Sequence, residues 1–251
     1  MNGYFSNENR QYSEHYEIMP FECGENRALT LAYALRIIEH AAGRHLDNFN
    51  LSYDELVRHD AVFLLSGIQL EFFRPINAGE EVTLRTWQRK IEKVRYIRDA
   101  EILGKDGEKL AACVQNWFIA SVGRHRIKRP NELPEYNVIL PFDKASLPDV
   151  SVVQIHMPEK TEYAALHEVT YSDLDYNGHM NNTRYAELAT DCASKLLKKG
   201  NRVKGIKLIF KSEAMMSDTL KLYAAEKDGR LYVLGEHERG CCFEVELCFF
   251  D

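Results

Sequence analysis

Asp175, Asn177 and His179 stand two residues apart in the run Asp173-Leu-Asp-Tyr-Asn-Gly-His-Met-Asn-Asn182. In an extended segment, residues at that spacing point to the same side. A carboxylate, an amide and an imidazole would then share one side, a set suited to moving a proton beside a polar reactant. Gly178 lets the chain turn tightly or approach a ligand closely. Asn181 or Asn182 can cap a following helix, whose first-turn N–H groups can receive an anion. A polar loop with a cap accounts for any one of these side chains alone. Three different functional groups on one face favour a site.

The elements around this run occur twice. In the second half, His167 to Tyr171 reads as a strand. A polar turn and a helix follow, with Tyr185, Leu188, Ala189, Cys192, Ala193, Leu196 and Leu197 on one face and Gly200 as its stop. In the first half, His15 to Met19 reads as a strand, then a turn, then a helix with Leu31, Ala34, Leu35, Ile38, Ala41, Ala42 and Leu46 on its buried face. Alternating apolar strands follow each helix: Ile68, Leu70, Phe72 and Val82, Leu84 in the first half, and Ile206, Leu208, Phe210 and Leu220, Leu222, Ala224 in the second. Hairpin turns are placed at Lys105-Asp-Gly107 and Lys227-Asp-Gly229. The order strand, long helix, about four antiparallel strands disfavours a parallel sheet. One helix against a curved antiparallel sheet, built twice, is the α+β architecture that fits. Five of the seven prolines (130, 134, 141, 148, 158) fall between the halves. The reading is therefore 1–129 as the first domain, 130–160 as connector and 161–251 as the second.

Composition narrows the function. The 251 residues carry 32 Lys+Arg against 38 Asp+Glu, a net charge of −6, which argues against general nucleic-acid binding. No apolar run approaches the ~20 residues of a membrane span, and Met1 to Gln11 lacks a secretory apolar stretch. Six cysteines without CxxC fit neither a disulfide framework nor a zinc site, so the cytoplasm is the expected compartment. GxSxG, HExxH, GxGxxG and P-loop signatures are missing, so no serine nucleophile, metal or nucleotide cofactor is expected. His40 and His45 share a helix face poorly and read as solvated or hydrogen-bonded.

An ungapped match of His15 with His167 places Cys23, Glu25 and Arg27 opposite Asp175, Asn177 and His179. The first half then lacks the trio, which suggests one chemical half and one binding half.

The run from Asp173 to Tyr185 resembles the active-site segment of the plant and bacterial acyl-acyl carrier protein (ACP) thioesterases. Thr86-Trp87, Tyr96-Ile-Arg-Asp-Ala-Glu-Ile102, Trp117 and Arg129-Pro130 agree with that family from about residue 12 onward. The resemblance implies a double hot-dog fold, a role in fatty acid biosynthesis and an acyl-chain tunnel in the first half. It also implies catalytic roles for Asp175, Asn177 and His179, and for Glu213 in Phe210-Lys-Ser-Glu213. Plant members often carry Cys directly after that Glu; here it is Ala214, which favours direct attack by water over a thiol nucleophile.

Thioester hydrolysis needs a water, a base and donors for the developing oxyanion. Glu213 or Asp175 would take the water's proton and Asn177 would position it. His179 and first-turn N–H groups would polarise the carbonyl. Attack by a carboxylate through an anhydride is the alternative. The expected partner is acidic ACP, and homodimerisation is left open. Lys195, Lys198, Lys199, Arg202, Lys204 and Lys207 form a run without an acid, readable as a solvated helix end or as the ACP-docking site. Arg124, Arg126, Lys128 and Arg129 form a second candidate. Rival readings are an acyl-CoA thioesterase on the same fold, a hot-dog dehydratase or hydratase, and a non-catalytic acyl-thioester-binding protein.

Overall fold

A computed structural model describes residues 3–124, 126–148, 150–194, 197 and 202–250. The chain divides into two compact units, Met1–Val152 and Val153–Asp251.

In the first unit the strands are β1 (Tyr4–Ser6), β2 (Gln11–Glu17), β3 (Val62–Phe72), β4 (Glu81–Glu92), β5 (Arg95–Leu103) and β6 (Lys109–Ala120). They pair antiparallel in the order β1-β2-β4-β5-β6-β3. Helix α1 (Leu31–Asp47) starts where the Thr30 hydroxyl accepts the Tyr33 N–H at 3.3 Å. Leu31, Ala34, Leu35, Ile38, Ala41, Ala42 and His45 are buried on it, and it packs on β4 and β2. A short helix not foreseen, α2 (Tyr53–Arg58), is capped by Ser52. The proline-rich stretch after β6 carries short 3-10 turns, and its Leu133, Tyr136 and Ile139 join the buried cluster of Leu51, Leu56 and Tyr96.

In the second unit the strands are β7 (Glu162–Glu168), β8 (Val203–Phe210), β9 (Thr219–Lys227), β10 (Arg230–His237) and β11 (Gly240–Phe249). They run antiparallel in the order β7-β9-β10-β11-β8. Helix α3 (Asn182–Cys192) packs on β11, with the Tyr185 ring edge-on to Phe243 and Phe210. A Cβ at Gly235 would lie 2.0 Å from the Phe243 ring, so the core fixes glycine there. Leu196 and the Gly200 stop of the sequence reading lie outside the described residues.

Candidate active site

The run expected to be extended is a tight turn. Leu174 and Met180 form an isolated bridge, the Asp175 N–H donates to the His179 carbonyl at 2.9 Å, and the Gly178 N–H donates to the Asp175 carbonyl at 3.0 Å. The turn closes because Gly178 adopts φ +78°, a conformation costly for other residues. Asp175 Oδ1 accepts the Asn177 N–H at 2.8 Å and its Oδ2 lies 3.5 Å from the Asn177 amide nitrogen. Asp175 and Asn177 are thus held together by a local Asx turn rather than by strand alternation.

A buried acid holds the base of this turn. Asp173, 1% exposed, accepts the Thr170 N–H at 2.8 Å, His167 Nε2 at 3.0 Å and Arg184 Nη2 at 2.7 Å. Burial alone would raise its carboxyl; the Thr170 N–H, Arg184 and His167 outweigh that and keep it below the usual carboxylate range. Asn181 caps α3, accepting the Thr183 N–H at 2.9 Å, and the Arg184 N–H bonds to the Asn181 carbonyl at 2.9 Å. Those two first-turn donors are engaged within the helix start.

Glu213 follows β8. The Met180 N–H donates to the Ala214 carbonyl at 2.8 Å, and His179 bridges to Met215. These ties bring His179 Nε2 to 3.4 Å from Glu213 Oε2. Ala214 is fully buried. The Glu213 carbonyl accepts Arg239 Nη2 at 3.1 Å and lies 3.2 Å from His237 Nε2. Arg239 also grips Asp218 through two hydrogen bonds of 2.6 and 2.9 Å, and Asp218 accepts the Met215 N–H at 2.7 Å. The Arg239 guanidinium holds the Asp218 carboxyl down at about 2. His237, Arg239 and Asp218 were not singled out from sequence.

The first unit builds the same cradle in a register one residue away from the ungapped match. Gly24 N–H donates to the Ala28 carbonyl, Arg27 N–H to Gly24, Leu29 N–H to Ile76 and Thr30 N–H to Glu22. Glu22 is the buried acid, bonded by the Met19 N–H and the Tyr16 hydroxyl. Even the clamp recurs: Arg74 binds Glu80 and the Pro75 carbonyl. Gly24, Asn26, Ala28 and Pro75 therefore stand where the second unit has Asp175, Asn177, His179 and Glu213. The middle amide is kept; both carboxylates and the imidazole are not.

Of the basic run, Lys195, Lys198 and Lys199 lie outside the described residues. Arg202 and Lys204 are exposed, and Lys207 pairs with Glu246 at 3.1 Å. In the second basic group Lys128 is buried and donates to the His59 and Asp60 carbonyls, and Arg126 pairs with Glu132. Arg124 and Arg129 are exposed. No helix among the described residues is long and apolar enough to cross a membrane.

Two tandem units, each a long helix against an antiparallel sheet, make this a double hot-dog protein. Models of the acyl-ACP thioesterase N-terminal and C-terminal domains match residues 9–134 and 156–247, and the chain belongs to that family. It is similar to oleoyl-acyl carrier protein thioesterase 2 of Arabidopsis thaliana, 20% identical over 224 residues, covering 82% of this chain and 60% of that protein. A Coriandrum sativum oleoyl-acyl carrier protein thioesterase is also 20% identical, with 87% of this chain and 63% of the relative covered. The chain thus spans less than two thirds of those relatives. Two solved structures share the fold. The acyl-ACP thioesterase of Bacteroides thetaiotaomicron has TM-score 0.86 at 19% identity, covering 98% of this chain and 100% of that one. The 12:0-ACP thioesterase of Umbellularia californica has TM-score 0.86 at 16% identity, covering 98% and 99%.

Proposed function

We propose that this protein hydrolyses the thioester of acyl-ACP, releasing free fatty acid and holo-ACP, with the acyl chain held by the first unit and the chemistry performed by the second. Family membership supports the reaction class. The observation that carries the site is the approach of His179 to Glu213 beside the turn of Asp175 and Asn177. Asp175 Oδ1 is engaged by the Asn177 N–H, whereas Glu213 is exposed with His179 as its neighbour, so Glu213 is taken as the base. It takes a proton from a water positioned by the Asn177 amide. That water attacks the thioester carbon, and His179 donates to the carbonyl oxygen as charge develops. The bond to sulfur then breaks, and the proton held by Glu213 passes to the departing thiolate, which leaves as the carrier's thiol and restores the carboxylate. A thiol is a good leaving group, with a free-cysteine pKa of about 8.5, so the acid demand is modest.

Arg202 and Lys204 are exposed cations available to an acidic carrier; Lys195, Lys198 and Lys199 of the same run lie outside the described residues. The proposed compartment is the cytoplasm, since six cysteines without a CxxC pair suit a reducing environment. The test is turnover of an acyl-ACP chain-length series beside acyl-CoA of equal length, with Asp175→Asn and Glu213→Gln. Full activity in both variants would refute the site. Equal turnover of both carriers would refute the carrier assignment. One turnover in ¹⁸O water that leaves label in Glu213 or Asp175 would replace direct attack by an anhydride.

A further inference from the structure

The Glu213 side chain is 56% exposed and meets His179 at 3.4 Å. The backbone on either side of it sets its direction. The Ser212 carbonyl accepts Cys242 Sγ at 3.1 Å, and the Glu213 carbonyl faces His237 Nε2 at 3.2 Å and Arg239 Nη2 at 3.1 Å. Two planar peptides flank the Glu213 Cα, so holding both fixes the line of its Cα–Cβ bond. The two grips on the Glu213 carbonyl come from one hairpin. His237, which is buried, ends β10; Gly240 opens β11 at φ +113°, and Arg239 lies between them. The hydrogen bonds of His237 run in one direction. The Arg239 N–H donates to Nδ1 at 3.2 Å, so Nδ1 is the acceptor and Nε2 carries the proton. That N–H is shared between the Glu213 carbonyl and the Ser212 hydroxyl, 3.1 Å away. The hydroxyl can accept it because its own proton goes to the Cys241 carbonyl at 3.1 Å. With Nε2 protonated, His237 is no base for Ser212, and the pair serves to hold position.

The first unit separates the parts of this arrangement. Its Phe73 N–H donates to the Leu110 carbonyl as the Lys211 N–H donates to that of Cys242. Both hairpins skip one residue at the same place. Leu110 falls between the pairs Ile102–Ala111 and Leu103–Lys109, and Cys242 between Gly235–Phe243 and Glu236–Cys241. The next position along the strand is Gly104 in the first unit and His237 in the second. Arg74 stands in the place of Ser212 and itself binds Glu80 and the Pro75 carbonyl. A guanidinium shared between an acid and this carbonyl thus occurs in both units, with and without a carboxylate to aim. The imidazole donor stands only where the carbonyl belongs to Glu213. The clamp of Arg239 on Asp218 therefore goes with the architecture, and His237 goes with the chemistry.

We propose that His237 is a positioning residue for the reaction: its neutral imidazole, oriented by the Arg239 N–H and Ser212, holds the Glu213 carbonyl so that the carboxylate meets His179. This rests on the reading of Glu213 as the base. His237 acts through Glu213 and needs no contact with substrate. His237→Leu removes the donor, and His237→Gln keeps an N–H near the place of Nε2. Each is made in the full chain with and without Glu213→Gln, and kcat and KM for acyl-ACP are measured beside Tm. His237→Leu lowers kcat about 10- to 100-fold at unchanged KM, the loss expected when a reacting group shifts by about 1 Å. His237→Gln recovers kcat to within about threefold of wild type. With Glu213→Gln already present, His237→Leu lowers kcat no further, because groups that act as one unit are not additive. His237→Asn takes the place of His237→Leu where that variant does not fold; it keeps an acceptor for the Arg239 N–H and is too short for the Glu213 carbonyl. An unchanged kcat without the donor overturns the proposal. So does an equal loss in the Glu213→Gln background, or a His237→Gln variant as slow as His237→Leu. Full activity of Glu213→Gln alone is a separate outcome, which refutes the base and the positioning role with it.

Discussion

His179 Nε2 and Glu213 Oε2 lie 3.4 Å apart although the whole of α3 and β8 separates them in sequence. The backbone makes the meeting, through the Met180 N–H on the Ala214 carbonyl and the bridge of His179 to Met215. The two side chains do not hold the fold. Glu213→Gln and His179→Ala should each lower kcat by roughly 10²- to 10⁴-fold. Steady-state kinetics with thermal melts would check this, and an unchanged Tm beside lost turnover is the expected pattern.

Asp175 has a local duty as well as a proposed chemical one. Asp175→Asn keeps an oxygen for the Asn177 N–H and removes only the charge; Asp175→Ala removes both. Denaturant unfolding should place the Ala variant about 1 kcal/mol below the Asn variant. If the Asn variant is as unstable as the Ala variant, the charge, and not the acceptor, shapes the turn.

Gly178→Ala should destabilise by about 1 kcal/mol through its left-handed φ, since a Cβ there meets nothing within 4 Å. Arg27 holds the same place in the first unit at φ +62°, so the cost is tolerable. Activity should fall further than stability, because the turn aims both Asn177 and His179. Unfolding curves and kcat measured on one preparation would decide.

Much of the scaffold was legible. The spacing of apolar residues marked α1, the Asp-Gly turns marked two hairpins, and the repeated order marked the duplication. The register of the duplication was not, because His15 and His167 are not equivalent: Tyr16 is the counterpart of His167, each reaching the buried acid that anchors its turn. Strand spacing also failed at Asp175 to His179, where Gly178 closes a turn. The clamp of Arg239 on Asp218 escaped because it joins two loops far apart in sequence, and no periodicity links them.

That clamp has a pH signature. The Asp218 carboxyl sits at about 2 in the fold, below its ordinary 3.8. Its stabilising contribution is present above pH 3.8 and is lost as pH falls through about 2. Arg239→Ala should therefore be less stable than wild type at pH 5, with the gap closing between pH 4 and 2. Denaturant midpoints across that range would test it, and a constant gap would show that Arg239 acts by packing alone.

The recurrence of the turn in both units, once with chemistry and once without, separates architecture from reactivity. Glu22 and Asp173 carry the shape, so the reactive positions are replaceable cargo. An inactivated variant should then keep its cradle intact and hold a thioester it cannot cleave. Such a variant is a means of trapping the carrier-bound substrate for direct observation.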